Sequence, residues 1–365
     1  MNKKHLILFF LFLFLAFAIS FLSFKNKESF EEIISEEETT QYNQLKNVPD
    51  EINAIYLTGP YLSNQSRFDK ILSLIDETEI NAVVIDVKDF SGRIYLNIEN
   101  NELNKHNALQ SWVKMDNIVK RLHEKNVYII ARIAVFEDPI LSSNKINLAI
   151  KNINGNIWQA YNGLSWADPS SKDVWDYNIL VAKEAWKMGF DEINFDYIRF
   201  PTDGNLKAIS YNLSGKTKIE IINEFYKYLR NELEGIIISA DLFGLTTVID
   251  DIGVGQNIED ASKYFDFICP MVYPSHYANG FNGFVDPSEY PYEVVFKSLS
   301  IANDKVTNIR PWLQAFDLLG YDYSKEEIQE QIKASKDALL DNYSGYMLWN
   351  SQNIYNKEDL PKYKE

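Results

Sequence analysis

Short apolar runs alternate with longer amphipathic runs along most of the chain, from about residue 51 onward. Apolar runs of about four to eight residues between turn signals are typical of buried parallel strands. The pattern predicts eight strands, at residues 54–57, 82–87, 128–133, 192–195, 236–240, 267–271, 309–314 and 345–348.

Helices are predicted between those strands, because apolar residues recur there at three- and four-residue spacing. The clearest are residues 68–77, 115–125, 171–188, 216–233 and 325–340, with shorter candidates at 257–264 and 292–303. Eight strands interleaved with helices predict an α/β fold, a (β/α)8 barrel over residues 51–365. A doubly wound open sheet is the alternative, but no glycine-rich phosphate loop follows the first strand.

The first 50 residues have a different pattern. Lys3 and Lys4 precede an apolar run over residues 6–24, which is long enough to cross a bilayer as a helix. Lysines before such a run favour a cytoplasmic amino terminus, so residues 1–24 predict a membrane anchor with the rest of the chain outside the cell. A cleaved signal peptide is the alternative and would make the protein secreted. Residues 25–50 are polar and acidic, which predicts a flexible linker.

Composition narrows the classes of partner. The chain has 52 acidic and 36 basic residues, and this net charge of -16 argues against a nucleic-acid partner. The single cysteine, Cys269, permits no internal disulfide, and four scattered histidines do not form a His-rich metal site. No metal or other cofactor is therefore expected. The 22 tyrosines and 7 tryptophans favour flat amphipathic ligands such as sugar rings, although a Tyr-rich core gives the same composition.

Polar side chains follow nearly every predicted strand at its carboxyl end. In a barrel these ends share one face, where active sites form. Buried polar groups without partners are unfavourable, so their convergence predicts a site rather than a core. The candidates are Asp86, Lys88, Arg132, Asp196, Tyr197, Arg199, Asp241, Tyr273, His276, Trp312, Gln314, Asp317 and Trp349.

The acidic members of this set suit glycosidic bond cleavage, which requires two carboxyl groups on either side of the bond. Asp196 is predicted to be the nucleophile or base, because Arg132 and Arg199 favour its ionised form. Asp241 is predicted to be the proton donor, because its apolar neighbours raise the pKa. Asp317 is a third candidate for catalysis or for binding sugar hydroxyls. The other members are predicted to bind a polysaccharide or oligosaccharide substrate.

Two long predicted loops on the same face carry aromatic residues. Residues 134–171 include Trp158, Tyr161 and Trp166, and residues 273–291 include Tyr277. Sugars could stack on these rings without being hydrolysed, so a carbohydrate-binding barrel without turnover is the alternative function. A metal-dependent polysaccharide deacetylase is a weaker alternative, because its usual Asp and His ligands are poorly represented.

Three motifs carry a family resemblance: Asp-Val-Lys-Asp at 86–89, Phe-Asp-Tyr-Ile-Arg-Phe-Pro at 195–201 and Cys-Pro-Met-Val-Tyr-Pro at 269–274. Over about residues 53–355 the chain resembles a bacterial family of glycoside hydrolases, first described as a domain of unknown function and distantly similar to α-amylase-like barrels. The resemblance implies a (β/α)8 barrel that hydrolyses polysaccharides. Acids follow strands four, five and seven in α-amylase-like enzymes, and Asp196, Asp241 and Asp317 occupy those places. The strand-five acid is Glu there, so Asp241 is one carbon shorter.

Overall fold

Eight parallel strands close into a barrel in which each strand pairs with its neighbours in chain order and the first pairs with the last. This computed structural model describes residues 44–318 and 320–362. The strands are β1 Ile52–Thr58, β2 Ala82–Lys88, β3 Tyr128–Ala134, β4 Glu192–Asp196, β5 Ile238–Phe243, β6 Phe267–Met271, β7 Trp312–Gln314 and β8 Gly345–Trp349. The prediction of a (β/α)8 barrel is confirmed, and closure of the sheet rules out the doubly wound alternative.

Helices cover the outside of the barrel between successive strands. Six helices of the described ranges are longer than two turns: α1 Gln65–Glu77, α2 Met115–His123, α3 Lys172–Lys187, α4 Lys218–Glu232, α5 Pro291–Asn303 and α6 Lys325–Leu339. Capping boxes start α4 at Thr217 and α6 at Ser324. Between β5 and β6 the α-helical part of the connection is the single turn Ile258–Ala261. Short α-helices lie at Gly59–Leu62, Asn101–Asn104 and Pro139–Asn144, and 3-10 turns at Ile146–Leu148, Leu206–Ala208, Gly244–Thr247, Pro274–His276, Phe281–Gly283, Pro287–Glu289 and Leu340–Asn342.

Strand alternation divides the core into two parts. On β4, Ile193 and Phe195 pack against the helix layer, while Asn194 and Asp196 face the barrel interior. The helix-facing core is large, whereas the interior contains a smaller apolar cluster that includes Tyr56 and Trp312. Polar side chains therefore occupy the upper layer of the interior, at the carboxyl ends of the strands.

The connections at this carboxyl face are long and partly structured. An antiparallel pair of short strands, Lys151–Asn152 and Ile209–Ser210, joins the loop after β3 to the loop after β4. Trp158 donates a hydrogen bond from Nε1 to the carbonyl of Asn205 at 3.1 Å, which links the same two loops. These contacts hold one wall above the barrel mouth.

The predicted membrane anchor at residues 1–24 and residues 25–43 of the predicted linker lie outside the described residues. The end of the predicted linker touches the barrel: Gln44 donates to the carbonyl of Trp186 at 2.9 Å, and the Leu45 amide donates to Asp191 at 2.5 Å. None of the helices in the described ranges is long and apolar enough to cross a membrane.

Candidate active site

A cleft of about 370 Å³ opens at the carboxyl ends of the strands. This volume lies within the range of small-molecule sites. Both acidic and aromatic side chains line it, and they come from six of the eight strands or from the loops that follow them. The lining residues are Arg132, Asp196, Tyr197, Arg199, Asp241, Phe243, Gly244, Leu245, Met271, Tyr273, His276, Tyr277, Trp312 and Trp349.

Asp196 is the last residue of β4 and lies at the rim of the cleft. Arg132 Nε donates to Asp196 Oδ2 at 3.2 Å, and Arg132 Nη2 donates to the same oxygen. The amide of Tyr197 donates to Oδ1 at 2.5 Å. Tyr197 has a φ of +53°, which is uncommon for an aromatic residue and turns the chain so that its amide faces the carboxylate. Asp196 therefore receives three hydrogen bonds of the kind that a negative carboxylate accepts.

Asp241 lies one strand further, on β5, and is almost completely buried. Its Oδ1 accepts hydrogen bonds from Asn194 Nδ2 at 2.8 Å and from Trp312 Nε1 at 2.7 Å. Its Oδ2 has no hydrogen-bond partner among the described residues. Burial raises the pKa of Asp241 well above its usual range, and the charge of Asp196 raises that pKa further. A protonated Oδ2 would thus be a free donor beside the cleft.

Arg132 joins the two acidic side chains. Its Nε is 3.2 Å from Asp196 Oδ2 and 3.7 Å from Asp241 Oδ2. These two distances limit the separation of the Oδ2 atoms to about 7 Å, which includes the spacing of retaining glycosidases and excludes most of the inverting range. The two carboxyl groups therefore lie close enough to act on one bond.

A second set of contacts fixes Arg132 from behind. Its Nη1 donates to Asp86 Oδ1 at 2.5 Å, and Asp86 Oδ2 accepts from the hydroxyl of Tyr56. The guanidinium lies 4.9 Å from the ring centroid of Trp349, which stacks on Tyr56 at 3.9 Å. Because the arginine is held on two sides and over one face, it has little freedom to leave the acids.

Nine of the thirteen residues that the sequence predicted for the site line this cleft, and Asp86, Lys88, Gln314 and Asp317 do not. Lys88 is the clearest correction. The register of β2 and β3 shifts between Asp86 and Lys88, so Lys88 pairs opposite Ile133 and points to the helix layer. There it is fully buried and forms an ion pair with Asp138 at 2.8 Å, instead of binding substrate or pairing with Asp86.

The other three lie near the cleft but have different surroundings. Asp86 is buried behind Arg132 and supports it. Gln314 is fully buried and accepts from the amide and hydroxyl of Ser275, so it fastens the loop after β6. Asp317 is exposed and lines a neighbouring cavity of about 700 Å³, where its Oδ1 caps the amide of Tyr323 at 2.9 Å. It does not join Asp196 and Asp241.

The aromatic loops also differ from expectation. Trp158 and Trp166 are buried in the loop packing and offer no face for stacking, while Tyr161 is exposed away from the cleft lining. The aromatic lining is supplied instead by Tyr197, Phe243, Tyr273, Tyr277, Trp312 and Trp349. Tyr277, on the second aromatic loop, does line the cleft, whereas the sequence prediction of the site missed Phe243, Gly244, Leu245 and Met271.

Gly244 allows the loop after β5 to form one wall of the cleft. A Cβ at this position would lie 2.4 Å from the carbonyl oxygen of Met271 and 2.6 Å from the hydroxyl of Tyr277. The loop after β5 can therefore pack on β6 only without a side chain at residue 244. In the described part of the chain, no group of three or more His, Cys, Asp or Glu residues is arranged to hold a metal ion.

Comparison with solved structures found proteins that are similar to this chain in sequence or in fold. A hypothetical protein from Ruminiclostridium thermocellum ATCC 27405 is 43% identical over 51% of this chain and 96% of its own, with a TM-score of 0.49. The PgaB (BpsB) glycoside hydrolase domain from Bordetella bronchiseptica is 14% identical over 83% of this chain and 94% of its own, with a TM-score of 0.57. The spore cortex-lytic enzyme SleL from Bacillus megaterium QM B1551 is 14% identical over 86% and 73%, with a TM-score of 0.50. At 14% identity the similarity concerns the fold alone.

Sequence comparison gives the family directly. A comparison with curated proteins found no match. A family model described as "Putative glycosyl hydrolase domain" matches residues 54–355, which include all of β2 to β8 and both acidic residues of the cleft. The chain therefore belongs to this family of glycosyl hydrolases.

Proposed function

We propose that this barrel hydrolyses O-glycosidic bonds of a polysaccharide or oligosaccharide with Asp196 and Asp241 as its catalytic pair. One observation carries the proposal: two carboxyl groups of different character face the same Arg132 Nε inside one cleft. Asp196 receives hydrogen bonds that suit a carboxylate, whereas burial raises the pKa of Asp241 and suits an acid. Glycosidic cleavage requires this combination.

The residues fit a double displacement. Asp241 gives its proton to the glycosidic oxygen as the bond from that oxygen to the anomeric carbon breaks, and the leaving sugar departs as an alcohol. Asp196 attacks the anomeric carbon and forms a glycosyl ester. A water then bonds to the anomeric carbon, its proton passes to the Asp241 carboxylate, and the ester bond to Asp196 breaks.

The shape of the surrounding surface favours a chain of sugars over a single unit. His276 and Trp349 line both the cleft and the neighbouring cavity of about 700 Å³, so the two spaces are adjacent. Gln352 lines the second space, and its exposed side chain presents an amide group suited to sugar hydroxyls. The spore cortex-lytic enzyme SleL, which has the same fold, lyses the spore cortex, and this supports a polymeric substrate here.

Substitution of the two acids tests the assignment. Reducing-end release is measured on cell-wall, capsular and secreted polysaccharides with the wild type, Asp196→Asn, Asp241→Asn and Asp317→Asn. The first two should lose at least about a thousandfold in kcat, whereas Asp317→Asn should retain turnover because it lies outside the cleft.

The exposed Asp304→Asn, on the helix layer, is the matched control for removal of one carboxylate. Unchanged turnover in Asp196→Asn, with melting temperature preserved, would contradict the proposal. Sugar binding that persists without any turnover in the wild type would favour a carbohydrate-binding barrel.

The predicted location is also a proposal. The apolar run at residues 6–24 follows two lysines, which supports a single-pass anchor with the barrel outside the cell. The full chain should then sediment with membranes, and added protease should degrade the barrel in intact cells. A soluble, shortened protein in the medium would instead support a cleaved signal peptide.

A further inference from the structure

Arg199 presents a positive charge to the cleft, and none of the described carboxylates is its ion-pair partner. Its Nη1 donates to the carbonyl of Phe200 at 3.2 Å and to the hydroxyl of Thr202 at 3.3 Å. Within the described ranges, no acidic oxygen lies within ion-pair distance of its guanidinium, and its Nε and Nη2 have no hydrogen-bond acceptor. An arginine side chain has five N–H donors, so those on Nε and Nη2 remain available to a ligand.

Aromatic rings fix the position of this guanidinium. The Cζ atom of Arg199 lies 4.6 Å from the ring centroid of Phe243, 4.9 Å from that of Trp166 and 5.2 Å from that of Tyr197. Stacking of this kind orients the plane of the group without using its N–H donors. The side chain is therefore prepared for a ligand before that ligand arrives.

The charge of Arg199 contrasts with that of Arg132, which two carboxylates neutralise. The negative charges of Asp196, Glu137 and Asp203 act on Arg199, but none of these acids forms an ion pair with it in the described part of the chain. Glu137 accepts a hydrogen bond from Asn162 at 3.2 Å, and burial raises the pKa of Glu137, which limits its compensation of the arginine. One wall of the cleft thus stays positive on a chain of net charge -16.

We propose that the glycan substrate carries an anionic group, a carboxylate or a sulfate or phosphate ester, on the sugar unit that contacts Arg199. The inference rests on the proposed function and narrows its substrate class. A planar guanidinium with parallel open N–H donors matches two oxygens of such a group. A neutral hydroxyl would use one donor and leave the charge without a partner.

The opposite side of the site has the reverse charge. Asp317, Asp322 and Asp359 line the neighbouring cavity, and no lysine or arginine is among its lining residues. An anionic sugar would be repelled there. The anionic unit is therefore expected at the Arg199 side, with neutral or cationic units beyond Trp349.

Binding to a glycan array tests the inference without turnover. The full chain carrying Asp196→Asn is applied to uronate-bearing, sulfated, phosphorylated and neutral glycans of matched length. Acidic glycans should be retained, and the ester and carboxylate arms identify which anion is preferred. Adding Arg199→Gln should weaken the binding of acidic glycans about 10- to 100-fold. Arg199→Lys should weaken it less, because the positive charge remains while the pair of parallel N–H donors is lost.

Arg93→Gln is the matched control, because Arg93 is exposed and lies outside the cleft lining. Melting temperatures are compared, and if Arg199→Gln is unfolded, Arg199→Lys alone decides, with a loss above about threefold expected. An array that retains no acidic glycan, or acidic binding equal in all variants, overturns the inference. Asp196-dependent hydrolysis of a neutral glycan would leave the proposed function standing while removing the anionic substrate.

Discussion

The indole of Trp312 donates a hydrogen bond of 2.7 Å to Asp241 Oδ1, although their strands, β7 and β5, are not adjacent in the barrel. The contact crosses the interior and fixes the carboxyl group with Oδ2 left free. It also favours the ionised form of Asp241, opposing the upward effect of burial on the pKa. One side chain thus orients the proposed acid and moderates its pKa.

Removing this bond should change the pH profile of hydrolysis. Trp312→Phe deletes a donor that lowers the pKa of Asp241, so that pKa should rise further. A general acid must be protonated, and the basic limb of kcat/KM should therefore move to higher pH. At the optimum, the rate should fall roughly tenfold because the carboxyl group is less well oriented.

Trp158→Phe provides the matched control, because Trp158 is also buried and donates to a backbone carbonyl instead of an acid. Its basic limb should coincide with that of the wild type. A limb that moves to lower pH in Trp312→Phe would refute Asp241 as the group that sets it.

The stability of Asp241→Asn should depend on pH in a defined direction. Burial raises the folded-state pKa of Asp241 above its unfolded value of about 3.9. The stabilisation from the protonated carboxyl is then complete below about pH 4 and is lost as the pH rises through the folded pKa. The amide of Asn cannot ionise, so the free energy of unfolding of the variant should rise relative to that of the wild type as the pH increases.

We expect the free energy of unfolding of Asp241→Asn to equal that of the wild type near pH 4 and to exceed it by about 1–3 kcal/mol at higher pH. Activity should be lost at every pH. Urea denaturation at several pH values measures this difference. Asp304→Asn, whose carboxylate is exposed, should show no such trend. A variant that becomes less stable relative to the wild type with rising pH would be inconsistent with a buried acid.

The product should keep the anomeric configuration of the substrate. The shared Arg132 Nε limits the Oδ2 atoms of Asp196 and Asp241 to a separation of about 7 Å, which leaves little room for a water between carboxylate and sugar. Proton NMR of the first product, recorded before mutarotation, reports the configuration. Appearance of the opposite anomer would show that Asp196 activates water instead of attacking the sugar.

Lys88 should matter for stability and not for chemistry. Lys88→Met leaves Asp138 buried without its ion-pair partner at 2.8 Å, and loss of one member of a buried pair costs about 3–5 kcal/mol. The exposed Lys70→Met on α1 should change the free energy of unfolding by less than about 0.5 kcal/mol. Folded Lys88→Met should retain its KM, and a large rise in KM would place Lys88 at the substrate after all.

The sequence by itself determined the barrel and the identity of most of its mouth. Apolar runs that end near Asp86, Asp196 and Asp241 predicted the strands. Parallel strands bring their carboxyl ends to one face, so residues 45 or more positions apart could be assigned to a common site. Local alternation was enough for that step, because which face a side chain occupies depends mainly on its immediate neighbours.

Only the tertiary structure decided which of these residues meet. Strand register determines the bulge that turns Lys88 outward and the convergence of Asp196 and Asp241 on Arg132. The path of the loop after β7 determines the position of Asp317 in the adjacent cavity. These are set by packing between distant segments, and no local pattern in the chain specifies them. The same holds for Arg199, which has no ion-pair partner among the described residues, since an ion pair depends on the separation of groups in space.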